Sequence, residues 1–88
     1  MKVSYIISDP VGLHARPATV MVQVAQKYPN DSFIIFKDKK VTLKSIMIVM
    51  SLGIPSQSKI EIEVNGDNPE VVHEAIKNVL IEHQVISV

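Results

Sequence analysis

Eighty-eight residues leave room for one small domain, and nine acidic residues balance nine basic ones for a formal net charge of zero. With two tyrosines, two phenylalanines, no tryptophan and no basic run, the chain offers little to nucleic acid or to an anionic membrane surface. The absence of cysteine excludes disulfides and thiolate-held metals, and it suits a reducing compartment.

The start of the chain, Met1-Lys2-Val3-Ser4, leads directly into an alternating pattern, so no signal peptide is expected. No apolar stretch approaches the length of a bilayer span, which excludes membrane insertion, and a cytoplasmic location is the expectation. Repeats, linkers and low-complexity tracts are lacking, and a single domain over residues 1–88 follows. Val3 to Ile7 alternates Val3, Tyr5 and Ile7 against Ser4 and Ile6, the pattern of a strand with one buried face. Asp9-Pro10-Val11-Gly12 is loop, because Pro10 blocks strand pairing and Gly12 permits a sharp bend. A helix follows over Ala15 to Lys27, with Pro17 in its first turn and a core stripe through Ala18, Met21, Val22, Val24 and Ala25.

Ser32 to Phe36 and Val41 to Leu43 form paired strands, with Asp38 the turn residue able to adopt a left-handed conformation. Ser45 to Leu52 is a short apolar helix closed by Gly53 at its C′ position. Lys59 to Val64 is the cleanest strand, with Ile60, Ile62 and Val64 inward and Lys59, Glu61 and Glu63 outward. Asn65-Gly66-Asp67-Asn68 turns, Asn68 or Asp67 caps a last helix begun by Pro69, and Val72, Ile76, Val79 and Leu80 are its buried stripe. The order β-α-β-β-α-β-α makes an α+β, open-faced β-sandwich with the helices on one face of a four-stranded sheet.

His14 falls at or beside the N-cap of the first helix, where backbone N–H groups lack acceptors and the helix dipole is positive. That end disfavours imidazolium and so keeps a nucleophilic ring nitrogen available. The amides of Ala15 and Arg16 can receive an anion landing there, and the Arg16 guanidinium is a planar donor fork suited to phosphate oxygens. Taken by itself, the motif also fits a histidine that caps a helix beside a solvated arginine.

Ser45 opens the second helix, whose default reading is a capping hydroxyl. Ile46, Met47, Ile48, Val49, Met50 and Leu52 cover almost every direction around two turns, more than one sheet face can bury. Some of Met47, Ile48 and Met50 therefore face solvent as a docking patch for a partner. His73 and His83 stand ten residues apart on the last helix, too far along it to share a metal, so no metal site is expected. His73 is expected on the solvated face beside Glu70 and Lys77, and His83 near the helix C-terminus, both structural.

Gly12-Leu13-His14-Ala15-Arg16-Pro17-Ala18-Thr19, and the run from Leu43 to Ile54 about thirty residues later, together resemble one family over essentially the whole chain. This is the HPr family, the histidine-containing phosphocarriers of the bacterial phosphoenolpyruvate-dependent sugar phosphotransferase system. The resemblance implies an antiparallel sheet of spatial order 1-4-2-3. It implies that Enzyme I phosphorylates His14, at Nδ1, and that phospho-His14 passes the group to the IIA domain of a sugar permease. By the same resemblance Arg16 and the amide of Ala15 hold the phosphoryl group. Ser45 is then a regulatory site for an ATP-dependent HPr kinase/phosphorylase, to which any Mg²⁺ belongs, and the chain is a monomeric carrier without a cofactor. Ile48 departs from a glycine common among relatives, and the segments Ile54–Ser58 and Lys37–Lys40 lack glycines often found there. A rival reading is a purely regulatory module acting through phospho-Ser45; the presence of His14 argues against it.

Overall fold

Alternating apolar residues are the spine of the sheet in the computed structural model, which describes residues 1–87. The elements are β1 (Lys2–Ile6), α1 (Ala15–Gln26), β2 (Ser32–Phe36), β3 (Lys39–Thr42), α2 (Ile46–Met50), β4 (Lys59–Val64) and α3 (Pro69–Glu82). Every strand pairing is antiparallel and the order is β1-β4-β2-β3, as expected. Val3, Ile62, Ile34 and Val41 lie opposite one another in a single row across all four strands. Residues paired in this way share a face. The central two, Ile62 and Ile34, are fully buried beneath the helices, together with Met21 and Ala25 of α1 and Ile76 and Leu80 of α3.

The opposite face of the sheet is covered by its own charges. Lys40 Nζ lies 2.8 Å from Glu63 Oε2 and 4.6 Å from the centre of the Phe33 ring, and Lys2 Nζ approaches Glu63 Oε1 at 3.8 Å. The hydrogen bond from Lys40 holds the Glu63 carboxyl below the ordinary carboxylate range against an opposing desolvation, and a bond from Asn65 adds to the effect. A lowered native value means that the ionised form stabilises the fold above the unfolded value. That contribution is lost as pH falls through the native value. Thermal melts from neutral to acid pH should therefore show Glu63→Gln losing less stability on acidification than the parent, with most of the difference below the usual glutamate range.

The structure shortens some expected elements. The regular part of α2 stops at Met50 with Ser51 as its C-cap, and Gly53 takes its left-handed conformation two residues beyond that cap. In the β2–β3 hairpin the positive φ falls on Lys37 (57°), not on Asp38. Asn68 is the N-cap of α3 by position, but its side chain makes no capping bond and its backbone is left-handed. The turn is instead held by Asn30, whose Nδ2 donates to the carbonyls of Asn65 and Asp67 at 2.7 and 2.8 Å.

His73 corrects the expectation of a solvated residue. It is 4% exposed, and its Nε2 donates to the Met1 carbonyl at 2.9 Å, 72 residues away in sequence. Beyond α3, Gln84 is left-handed at C′, with its amide bonded to the Ile81 carbonyl and that of Val85 to the Leu80 carbonyl. This paired arrangement is a Schellman motif, and it folds Val85 and Ile86 into the core.

Lys37 and Gln57 (φ 69°) are left-handed in the two segments that lack the expected glycines. A side chain makes that conformation costly, by about 1–2 kcal/mol, and glycine returns part of the gain as extra unfolded-state entropy. Gln57→Gly is accordingly expected to raise stability by about 0.5–1 kcal/mol, measured by urea unfolding.

Candidate functional site

His14 owes its position to the residues on either side of it. Gly12 turns the chain at φ +83°, so close to Ile54 that no side chain fits between them. Leu13, buried, donates its amide to the Ile54 carbonyl at 3.1 Å and pins the loop to the segment that follows α2. His14 itself is the extended N-cap of α1, its carbonyl accepting from Ala18 at 3.2 Å. Its side chain makes no capping bond, which removes the reading of His14 as a simple helix cap.

The ring is partly exposed, and its Nε2 lies 3.3 Å from Asp9 Oδ2. A carboxylate only accepts, so this contact places the ring proton on Nε2 and leaves the lone pair on Nδ1. The first-turn N–H groups, Ala15 and Arg16 among them, have no acceptor within the helix. Ala15 and Arg16 are both exposed. A nucleophilic nitrogen thus stands beside open amides at a positive helix end, an arrangement suited to an anion bonded at Nδ1.

Ser45 is the N-cap of α2, its Oγ accepting from Ile48 N at a long 3.4 Å. The segment before it is tied to the far end of α1. Lys44 Nζ donates to the Tyr28 carbonyl at 2.9 Å, and Gln26 Nε2 donates to the Lys44 carbonyl at 3.0 Å. An ammonium at a helix C-terminus also opposes the negative end of the dipole. Met47, Ile48 and Met50 are 82%, 42% and 37% exposed, while Val49 between them is buried. The contact of Ile54 with Gly12 and Leu13 joins the segment after α2 to the His14 loop.

Two features of this surface escaped the sequence reading. Val11 is a further exposed apolar side chain, in the loop that carries His14. Asp9 reads as loop in the sequence; the Asx turn it makes, with Oδ1 accepting from Val11 N at 2.9 Å, is a turn that its place before Pro10-Val11-Gly12 favours. A concavity of about 490 Å³ beside Tyr28, Asn30 and Val71 lies at the other end of α1 from His14. His14 therefore lies on an open, partly exposed surface and not in that concavity. No helix among the described residues is long and apolar enough to cross a membrane.

Comparison with known proteins agrees with this geometry. The family model described as the PTS HPr component phosphorylation site matches residues 1–82. The phosphocarrier protein HPr of Mycoplasma capricolum is 41% identical over 85 residues, which are 97% of this chain and 96% of that protein. That of Mycoplasma pneumoniae is 38% identical over 86 residues, 97% of this chain and 98% of the relative. A solved histidine-containing phosphocarrier protein of Mycoplasma superposes with a TM-score of 0.96 at 40% identity, covering all of both chains.

Proposed function

The chain belongs to the family of PTS HPr components, and from that premise we propose that Nδ1 of His14 takes a phosphoryl group from phosphorylated Enzyme I and yields it to IIA domains of sugar permeases. The observation that carries this reading is the free Nδ1 edge of an otherwise anchored ring at the open start of α1. The Nδ1 lone pair forms the new N–P bond while the donor leaves with the pair of the bond it loses. The amides of Ala15 and Arg16 and the Arg16 guanidinium receive the phosphoryl oxygens. Such transfer depends on in-line positioning and charge stabilisation, which one chain supplies without a cofactor of its own. The protein is a carrier, restored when the group moves on, and a monomer suffices for it.

Met47, Ile48 and Met50, with Val11 in the His14 loop, are the apolar ground on which both donor and acceptor dock. Methionine suits a surface that meets several partners, because its unbranched side chain adapts to each. Ser45 is the regulatory site, modified by an HPr kinase/phosphorylase. Its hydroxyl is engaged by one long hydrogen bond, and a phosphate there adds close to two negative charges. The positive start of α2 tolerates that charge, while a partner seated on the adjoining patch must accept it at its rim.

The test is intact-mass measurement after incubation with Enzyme I and phosphoenolpyruvate, and separately with the kinase and ATP. An acid-labile phosphate in the first reaction and an acid-stable one on Ser45 in the second are the expected results. A chain that takes only the second phosphate is a regulatory module and not a carrier.

A further inference from the structure

Asp9 is held at both of its ends. Its amide donates to the Val85 carbonyl at 3.2 Å, and Ser8 N donates to the same oxygen at 2.8 Å. Its own carbonyl accepts from Gly12 N and its Oδ1 from Val11 N, both at 2.9 Å. Only Oδ2 is left, and it points at His14 Nε2. A carboxylate fixed in this way has one orientation to offer, and its side chain is the more buried of the pair.

Resting on the carrier reading above, we propose that Asp9 is a positioning residue that keeps the proton of His14 on Nε2 through the whole phosphoryl cycle. Before transfer this turns the Nδ1 lone pair outward. When Nδ1 forms the N–P bond, the ring becomes a cation with its proton still on Nε2, facing Oδ2. In the onward step the N–P pair returns to Nδ1, the phosphoryl group passes to the acceptor nitrogen, and the ring departs as neutral imidazole. Loss of the Nε2 proton beforehand would force the ring to leave as an imidazolate anion, a far poorer leaving group. Asp9 takes up no proton in the cycle and acts through its charge. The end of the chain has a part in this, since the Val85 carbonyl that α3 delivers fixes the loop.

The other charged residue near His14 in the chain is Arg16, exposed on the first turn of α1. The segments packed against the loop, residues 53–58 and 84–87, carry no titratable side chain. Asp9→Asn removes the charge and retains an oxygen for Val11 N; Asp9→Ser retains a weaker turn hydroxyl and removes the reach to Nε2. Phosphoprotein made with Enzyme I and phosphoenolpyruvate is freed of the enzyme, and the decay of phosphohistidine is followed by ³¹P NMR from neutral to alkaline pH. In both variants the fast decay should give way to slow decay at a lower pH. On the alkaline side they should lose the group roughly threefold to tenfold more slowly than the parent, the order expected when a nearby opposite charge is removed from a partly exposed cation. Thermal melts check that each variant is folded, and either folded variant suffices. A pH profile matching the parent's overturns the role of Asp9 and leaves the carrier reading standing. A parent that accepts no phosphate overturns the carrier reading, and this proposal with it.

Discussion

His14→Ala, incubated with Enzyme I and phosphoenolpyruvate, gains no acid-labile phosphate and stays folded. The loss is complete, because the substitution removes the nitrogen that forms the N–P bond, and neither other histidine replaces it. His73 is buried with Nε2 committed to the Met1 carbonyl. His83 is the C-cap of α3, where the negative end of the dipole repels an arriving phosphoryl group. The stability change is small for an equally local reason. The His14 ring makes no capping bond, and its contact with Asp9 is one long, part-exposed hydrogen bond, a class that contributes about 1 kcal/mol. A melting temperature within a few degrees of the parent, alongside absent uptake, is the joint result that assigns the acceptor. Uptake that persists would move the chemistry to another residue.

What could be read from the sequence was local, and what could not was a contact between distant parts of the chain. Period-two alternation places Ile60, Ile62 and Val64 on one face whatever their neighbours do, and all three are buried. The excess of apolar residues in α2 likewise required exposure somewhere, and Met47, Ile48 and Met50 carry it. His73 shows the opposite case. Its helical neighbours Glu70 and Lys77 suggested a wet face, but Met1, 72 residues earlier, receives its hydrogen bond. Gln84 had no sequence signal either, because the motif that ends α3 more often uses glycine at that position. The candidate site divides along the same line. His14, Ala15 and Arg16 are contiguous and can be read together from the sequence, whereas the contact of Asp9 with His14 depends on a loop held by the distant Val85 carbonyl.

Gly12→Ala is expected to be among the most destabilising single-methyl changes in the molecule. The added Cβ would sit 2.5 Å from the Ile54 carbonyl oxygen and 3.1 Å from Pro55 C and Cα. These are backbone atoms, so no side chain can swing aside, and the two segments must separate. That movement strains the Leu13-to-Ile54 hydrogen bond, worth about 1 kcal/mol. The residue also needs φ +83°, which a side chain makes costly by about 1–2 kcal/mol. Together the loss is about 2–4 kcal/mol, a large share of the roughly 5–15 kcal/mol that holds a small domain together. For a chain of this size it lowers the melting temperature by about 10–25 °C. Gly53→Ala is the control. It has the same sign of φ and nothing within 4 Å of the new Cβ, so it carries the conformational cost alone, about 1 kcal/mol. The proposed function follows the same seam, because Gly12 closes the junction between the His14 loop and the segment behind α2. Gly12→Ala that remains folded at low temperature should accept phosphate from Enzyme I more slowly, since docking patch and acceptor no longer keep their registration. Equal melting temperatures for the two alanine variants would show that the loop yields without separating from Ile54, and would remove the close approach as the reason for glycine at this position.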